Sequence, residues 1–94
     1  MSYELEFIDK PLKEWNKLGS TVKEQFKKKL RERLELPKIE SSRVSGMTGC
    51  YKIKLRQAGY RLIYQVQDER LVVLVLAVGK RERNSVYKSA IKHI

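Results

Sequence analysis

The segment Tyr3–Ile8 alternates, with Tyr3, Leu5 and Phe7 set against Glu4 and Glu6. A period of two is that of a half-buried strand. Asp9 follows as a candidate N-cap, and Pro11 stands in a first turn where its missing N–H costs little. Leu12, Trp15 and Leu18 keep helical spacing as far as Gly19, which predicts a short first helix. Thr21-Val-Lys-Glu24 has the form of a capping box. Val22, Phe26, Leu30 and Leu34 then recur every fourth residue on an otherwise charged stretch that ends before Pro37. Two such helices in succession predict a helical hairpin. Ile39–Gly49, with its Ser, Gly and Thr, reads as a loop.

The remainder has the pattern of a three-stranded meander. Cys50–Arg56 alternates, Gln57-Ala58-Gly59 turns, Tyr60–Gln67 alternates again, and Asp68-Glu69-Arg70 makes a second turn. Leu71–Val78 is apolar without alternation, which predicts a central strand covered on both faces, or nearly so. Gly79 is expected to break that strand, and Lys80–Arg83 to form a charged connection. Asn84 or Ser85 would cap a last helix, docked through Val86, Ala90 and Ile94 with Tyr87 and Ile91 beside them. The expected architecture is an α+β single domain over residues 1–94, β-α-α-β-β-β-α. Its sheet is largely antiparallel, with the helical hairpin on one face and a C-terminal helix. Part of the second face should stay open.

Charge sharpens this picture. Twenty-one Lys and Arg against 11 Asp and Glu give a net charge of +10 on 94 residues. Such an excess predicts a polyanionic partner: nucleic acid, an anionic membrane or an acidic protein. An inert basic surface is the bland alternative. The longest apolar run is Leu71–Val78, well short of the ~18–20 residues of a membrane span, so no membrane span is expected, and of the polyanions a membrane is not the expected partner. The first ten residues carry no basic segment followed by an apolar one, so no signal peptide is expected. Cys50 is the only cysteine, which excludes an intrachain disulfide and suits a reducing cytoplasm.

The charge is unevenly placed. From Ser41 to Gln67, 27 residues contain no Asp or Glu but include Arg43, Lys52, Lys54, Arg56 and Arg61. On the second strand Tyr51, Ile53 and Leu55 fall on one face and Lys52, Lys54 and Arg56 on the other. With a four-residue loop Arg56–Gly59, Lys54 lies opposite Arg61, a destabilising like-charge pair. A three-residue loop would send Arg61 to the other face. A cationic face that holds phosphates explains the pattern, and a solvated strand edge is the competing explanation. Lys80-Arg81-Glu82-Arg83 adds a second basic cluster, either reaching the same face through Arg81 or forming a charged helix entry. Lys27-Lys28-Lys29-Leu-Arg31-Glu-Arg33 is expected to fan over the exposed side of its helix, for solvation and non-specific attraction.

Few chemistries remain. His93, the only histidine, suits the negative end of the last helix and a structural role. The chain has no HExxH, paired histidines, phosphate-cradling glycine loop or carboxylate cluster, so no metal or cofactor is expected. Lys, Arg and Tyr suit attack of an RNA 2′-OH on its own 3′-phosphate. That reaction needs cations for the developing charge, an acceptor for the 2′ proton and in-line geometry. Crowded cations lower the pKa of a lysine among them, and Lys54 would have Lys52, Arg61 and Arg81 as neighbours. Tyr87 either packs its helix or turns its ring to the open face, where it could stack on a base or reach the 2′-OH. Without histidine or a carboxylate base, a weak catalyst is expected unless a partner supplies positioning.

At these residues the sequence resembles the RelE family of bacterial toxins over essentially its whole length. The segments that carry the resemblance are Leu12-Lys-Glu-Trp15, Lys17-Leu-Gly-Ser-Thr21, Cys50-Tyr-Lys-Ile-Lys-Leu-Arg56, Gly59-Tyr-Arg-Leu62 and Val78-Gly-Lys-Arg-Glu-Arg83, with Val86-Tyr87. The resemblance implies a cytoplasmic, ribosome-dependent endoribonuclease that cuts mRNA in the A site. It also implies a RelB-like antitoxin, with operator DNA bound only through the toxin–antitoxin complex. Carried over by position, the catalytic set is Lys52, Lys54, Arg61, Arg81 and Tyr87. In it Lys54 or Tyr87 acts as base toward the 2′-OH, Lys52 and Arg61 meet the phosphate charge, and Arg81 serves the leaving oxygen. Arg43, Ser45, Arg56, Lys80 and Arg83 form the surrounding RNA- and ribosome-binding set. One position departs from the family: Ser45 stands before Gly46-Met47 where close relatives carry Arg. Two other classes remain in view. One is a ParE-like gyrase poison, which would lack this basic strand pair. The other is a non-catalytic nucleic-acid-binding module that uses the cations as phosphate anchors.

Overall fold

The computed structural model describes residues 2–80 and 85–93. Its elements are β1 Glu4–Phe7, α1 Asp9–Lys17, α2 Ser20–Glu35, a 3-10 turn Glu40–Ser42, β2 Cys50–Leu55, β3 Tyr60–Gln67, β4 Val72–Lys80 and α3 Ser85–Ile91. The strands form one sheet in the order β1-β4-β3-β2. β2, β3 and β4 are the antiparallel meander, and β1 joins the far edge parallel to β4, with Glu4 beside Val72 and Phe7 beside Val75. The long apolar run of β4 is therefore central, flanked on both sides.

The helical hairpin covers one face. Trp15, Phe26 and Leu30 pack on Ile53, Leu55, Leu62, Tyr64, Val73, Val75 and Val78, with Val22 and Leu34 at the margin. The every-fourth-residue stripe of α2 is thus its buried face. Each large side chain so buried contributes roughly 1.5–3 kcal/mol of transfer free energy. On the second face, Val86 and Ala90 of α3, with Val44 and Met47 from the 43–49 loop, pack on Cys50, Ile63, Leu76 and Ala77.

β4 serves both cores through a bulge. Ile63 pairs with Ala77 and Tyr64 with Val75, so Leu76 has no partner in the ladder. Val75 and Val78 therefore face the hairpin, while Leu76 and Ala77 both face α3. Burial on both faces plus one inserted residue removes the alternation from the sequence.

Several local expectations need correction. Asp9 is the first helical residue rather than the cap, which is Ile8; its charge still suits the positive end of α1. α2 starts at Ser20 after Gly19, with no side-chain cap, so the Thr21–Glu24 capping box does not form. In α1, Pro11 and Trp15 take the buried positions while Leu12 is 40% exposed. Gly79 does not break β4: it pairs with Arg61, and Lys80 pairs with Tyr60, because β3 runs far enough to supply both partners. A Cβ at Gly79 would lie 3.6 Å from Val86 Cγ2, an ordinary van der Waals contact, so α3 lies directly over this residue. Val86 and Ala90 dock that helix as expected, whereas Ile91 is 54% exposed; Asn84 and Ile94 lie outside the described residues.

Candidate active site

The register around the first hairpin decides the site. Leu55 pairs with Tyr60, leaving the four-residue loop Arg56–Gly59, and Lys54 lies directly opposite Arg61. The Gly59 N–H closes the loop on the Leu55 carbonyl at 2.8 Å with φ at +72°, a left-handed conformation that favours glycine. By the pleat, Lys52, Lys54 and Arg61 share the face of Cys50 and Ile63, which is the α3 face.

Tyr87 reaches this face from α3. The Arg61 guanidinium carbon stands 5.3 Å from the centroid of the Tyr87 ring, a cation–π contact. Arg61 is half-buried, and its buried Nε has no hydrogen-bond partner among the described residues. Lys54, Arg56, Tyr60 and Arg61 line a hollow of about 270 Å³. A second hollow, of about 400 Å³, runs between Lys52, Ser45 and Met47 on one side and Tyr87 and Ile91 on the other. Among the described residues, neither Lys52 nor Arg61 forms a salt bridge with a carboxylate. Cations set side by side form a site for an anion with several oxygens, such as a phosphodiester.

Four of the five residues expected in the catalytic set are thus on one face, and Arg81 lies outside the described residues. Of the surrounding set, Ser45 lies exposed in the groove with Lys52 and Tyr87, and Arg56 is exposed on the hairpin loop beside Lys54. Arg43 is exposed after the 3-10 turn, 3.5 Å from Glu40, and its backbone bridges to Tyr51. Lys80 is not brought to this face: by the pleat it shares the hairpin side with Tyr60 and Val78, and it lines a separate hollow with Lys10 and Glu14. Arg83 lies outside the described residues. Cys50 is buried, which pushes its thiol pKa up and leaves it inert as a nucleophile. His93 is exposed in the turn after α3.

One residue was misplaced by the sequence reading. Arg33 does not fan into solvent like Lys27–Lys29 but is half-buried, donating to the Lys52 carbonyl, Tyr64 Oη and Ser42 Oγ. Its spacing was the available signal: Phe26, Leu30 and Arg33 stand at i, i+4 and i+7, one face of a helix.

Comparison with known proteins fits this geometry. The family model described as the ParE toxin of the type II toxin–antitoxin system parDE matches residues 5–85. The mRNA interferase toxin RelE of Escherichia coli K12 is 62% identical over 94 residues, covering 100% of this chain and 99% of that protein. A solved structure of free E. coli RelE carrying two Arg→Ala substitutions superposes with a TM-score of 0.93 at 60% identity, covering 100% and 99% of the two chains. The same mutant bound to a peptide of the antitoxin RelB superposes at 0.84, with 60% identity over 100% and 99%. Fold and site define a toxin of a type II toxin–antitoxin system. The family model is described by its ParE members, but identity over the full length decides the branch: the chain belongs to the RelE family of mRNA interferase toxins.

Proposed function

We propose that this toxin cuts mRNA in the ribosomal A site through attack of a ribose 2′-OH on the adjacent phosphate. The supporting observation is the gathering of Lys52, Lys54 and Arg61 on one face with Tyr87 holding the Arg61 guanidinium. The 2′-oxygen bonds to phosphorus, the bond to the 5′-oxygen breaks, and the products are a 2′,3′-cyclic phosphate and a 5′-hydroxyl. Charge builds on the non-bridging oxygens. The Arg61 fork and the Lys52 ammonium are suited to receive it. Lys54 or Tyr87 takes the 2′ proton, and Arg81 serves the leaving oxygen. No histidine or carboxylate helps, so the rate depends on holding the RNA in line, which the ribosome would supply. Arg43, Arg56 and Arg83 contribute charge attraction to RNA, Ser45 offers a hydroxyl in the groove, and Lys80, on the other face, adds only long-range attraction.

RelE of E. coli has been solved with a RelB antitoxin peptide, which supports a RelB-like antitoxin as the partner that silences this chain. Contact with operator DNA would come through that complex, and the site of action is the cytoplasm.

Primer extension on an mRNA, with and without programmed ribosomes, tests the reading. Cuts within the A-site codon are expected only with ribosomes, and not with an Arg61→Ala/Arg81→Ala double variant. No cuts in either condition, with ribosome binding retained, overturns the nuclease and leaves a binding module. Unchanged toxicity of the double variant points to a gyrase poison.

A further inference from the structure

β2 ends the sheet order, so its outer edge presents carbonyls without strand partners. Two devices close it. Arg43 forms a single antiparallel bridge with Tyr51, and the Val44 N–H donates to the Cys50 carbonyl at 3.0 Å. At the next outward carbonyl, that of Lys52, Arg33 Nη1 donates at 3.2 Å. The same nitrogen donates to Tyr64 Oη at 2.9 Å, and Nη2 donates to Ser42 Oγ at 3.1 Å. The guanidinium carbon lies 5.8 Å from the Tyr64 ring centroid, and Tyr64 Oη donates in turn to the Pro37 carbonyl at 2.6 Å.

One α2 side chain therefore ties together three parts of the molecule. These are the backbone of Lys52, the core tyrosine of β3, and Ser42, which leads into the loop carrying Arg43 and Ser45. Among the described residues its acceptors are all neutral oxygens, and it has no carboxylate partner. A planar fork held by three fixed oxygens fixes position rather than supplying charge. Lys52 and Ser45 line the same groove facing Tyr87, so their separation is set by what joins strand to loop.

We propose that Arg33 is a positioning residue for the RNA-cleaving face, holding the Lys52 backbone and the Ser42–Ser45 loop in fixed relation. The inference rests on the nuclease reading above. The test compares the parent chain with Arg33→Met, Arg33→Lys and Ser42→Ala in single-turnover cleavage on programmed ribosomes. Folded fraction and amide exchange of residues 42–46 are measured alongside. Arg33→Met, at equal folded fraction, is expected to lower kcat about tenfold or more, since small misplacements of reacting groups are costly. KM for the ribosome complex should stay within about threefold, because Arg33 is not assigned an RNA contact. Arg33→Lys should recover part of the loss, and Ser42→Ala should speed loop exchange and lower kcat with no loss of folded protein. A kcat for Arg33→Met within twofold of the parent overturns the inference. So does a loss matched by the unfolded fraction, or an unfolded Arg33→Met beside a parent-like Ser42→Ala. A parent that cuts nothing on the ribosome overturns the nuclease reading itself, and the inference with it.

Discussion

Tyr87 offers two things to the cleavage site, a ring face and a hydroxyl, and substitution separates them. Arg61 sits 5.3 Å from the ring centroid, and among the described residues its Nε has no hydrogen-bond partner. The ring is therefore the guanidinium's identified support. Cation–π contacts contribute about 0.5–1 kcal/mol when exposed and about 2 kcal/mol when desolvated. A half-buried pair falls within that span, which is roughly 2- to 30-fold in the population of the held conformer at 1.36 kcal/mol per decade. Tyr87→Phe keeps the ring, and Tyr87→Leu keeps apolar bulk without it. The Phe variant should therefore cut mRNA about 2- to 30-fold faster than the Leu variant in single-turnover assays on programmed ribosomes. The drop from the parent to Phe reads the hydroxyl separately, and a proton-transfer role would make it about 10²–10⁴-fold. Lost packing of α3 is controlled by repeating the pair in an Arg61→Ala background, where the ring should confer no advantage. Equal rates for Phe and Leu, or an advantage that persists without Arg61, refute the assignment of the ring as the Arg61 support.

Other consequences are testable by simpler means. Phe26→Ala, which empties a fully buried position between hairpin and sheet, should cost about 3–5 kcal/mol in urea denaturation. Gly59→Ala should cost about 1–2 kcal/mol in the same assay, because its φ of +72° penalises a side chain even though, beyond its chain neighbours, no atom of the described residues lies within 4 Å of the new Cβ. Ser45→Arg adds a cation beside Lys52 and Tyr87, so the salt slope of RNA binding should steepen by about 0.7 for the added phosphate contact. Asp68 accepts hydrogen bonds from Lys38 and Tyr3, which hold its carboxyl below the ordinary 3.8. A lowered acid contributes above its unfolded pKa, so this stabilisation is lost as the pH falls through and below 3.8, and Asp68→Asn should flatten the acid limb of a thermal-melt series. The bond to Asp68 raises Lys38 above 10.5, so that contribution is complete below 10.5 and fades only at higher pH.

The parts that were legible in the chain are those coded by spacing along one element. The four-residue stripe of α2 names the helix face that meets the sheet. The alternation of β2 separates Tyr51, Ile53 and Leu55 from Lys52 and Lys54 before any partner strand is known. Loop length decides which face Arg61 takes, since a period of two leaves only one parity for each loop, but it took the structure to show the four-residue loop that sets Arg61 opposite Lys54. The missing alternation of β4 announces burial on both faces, though not the bulge that sends Leu76 and Ala77 to the same side.

Other features were settled only by the tertiary structure, because they depend on which distant group fills a place. The parallel seat of β1 beside β4 is one of these, since a short amphipathic strand carries no label for its neighbour. Gly79 continues β4 because β3 is long enough to pair with it. Lys80 leaves the cationic face by one step of the pleat. Spacing puts Arg33 on the buried face of α2 with Phe26 and Leu30, but what its guanidinium meets there, Ser42, Lys52 and Tyr64, nine to 31 residues away, is decided only by packing. Spacing fixes the face of an element on which a side chain stands, because backbone geometry is local. It does not fix what that side chain meets, because that is decided when the elements pack.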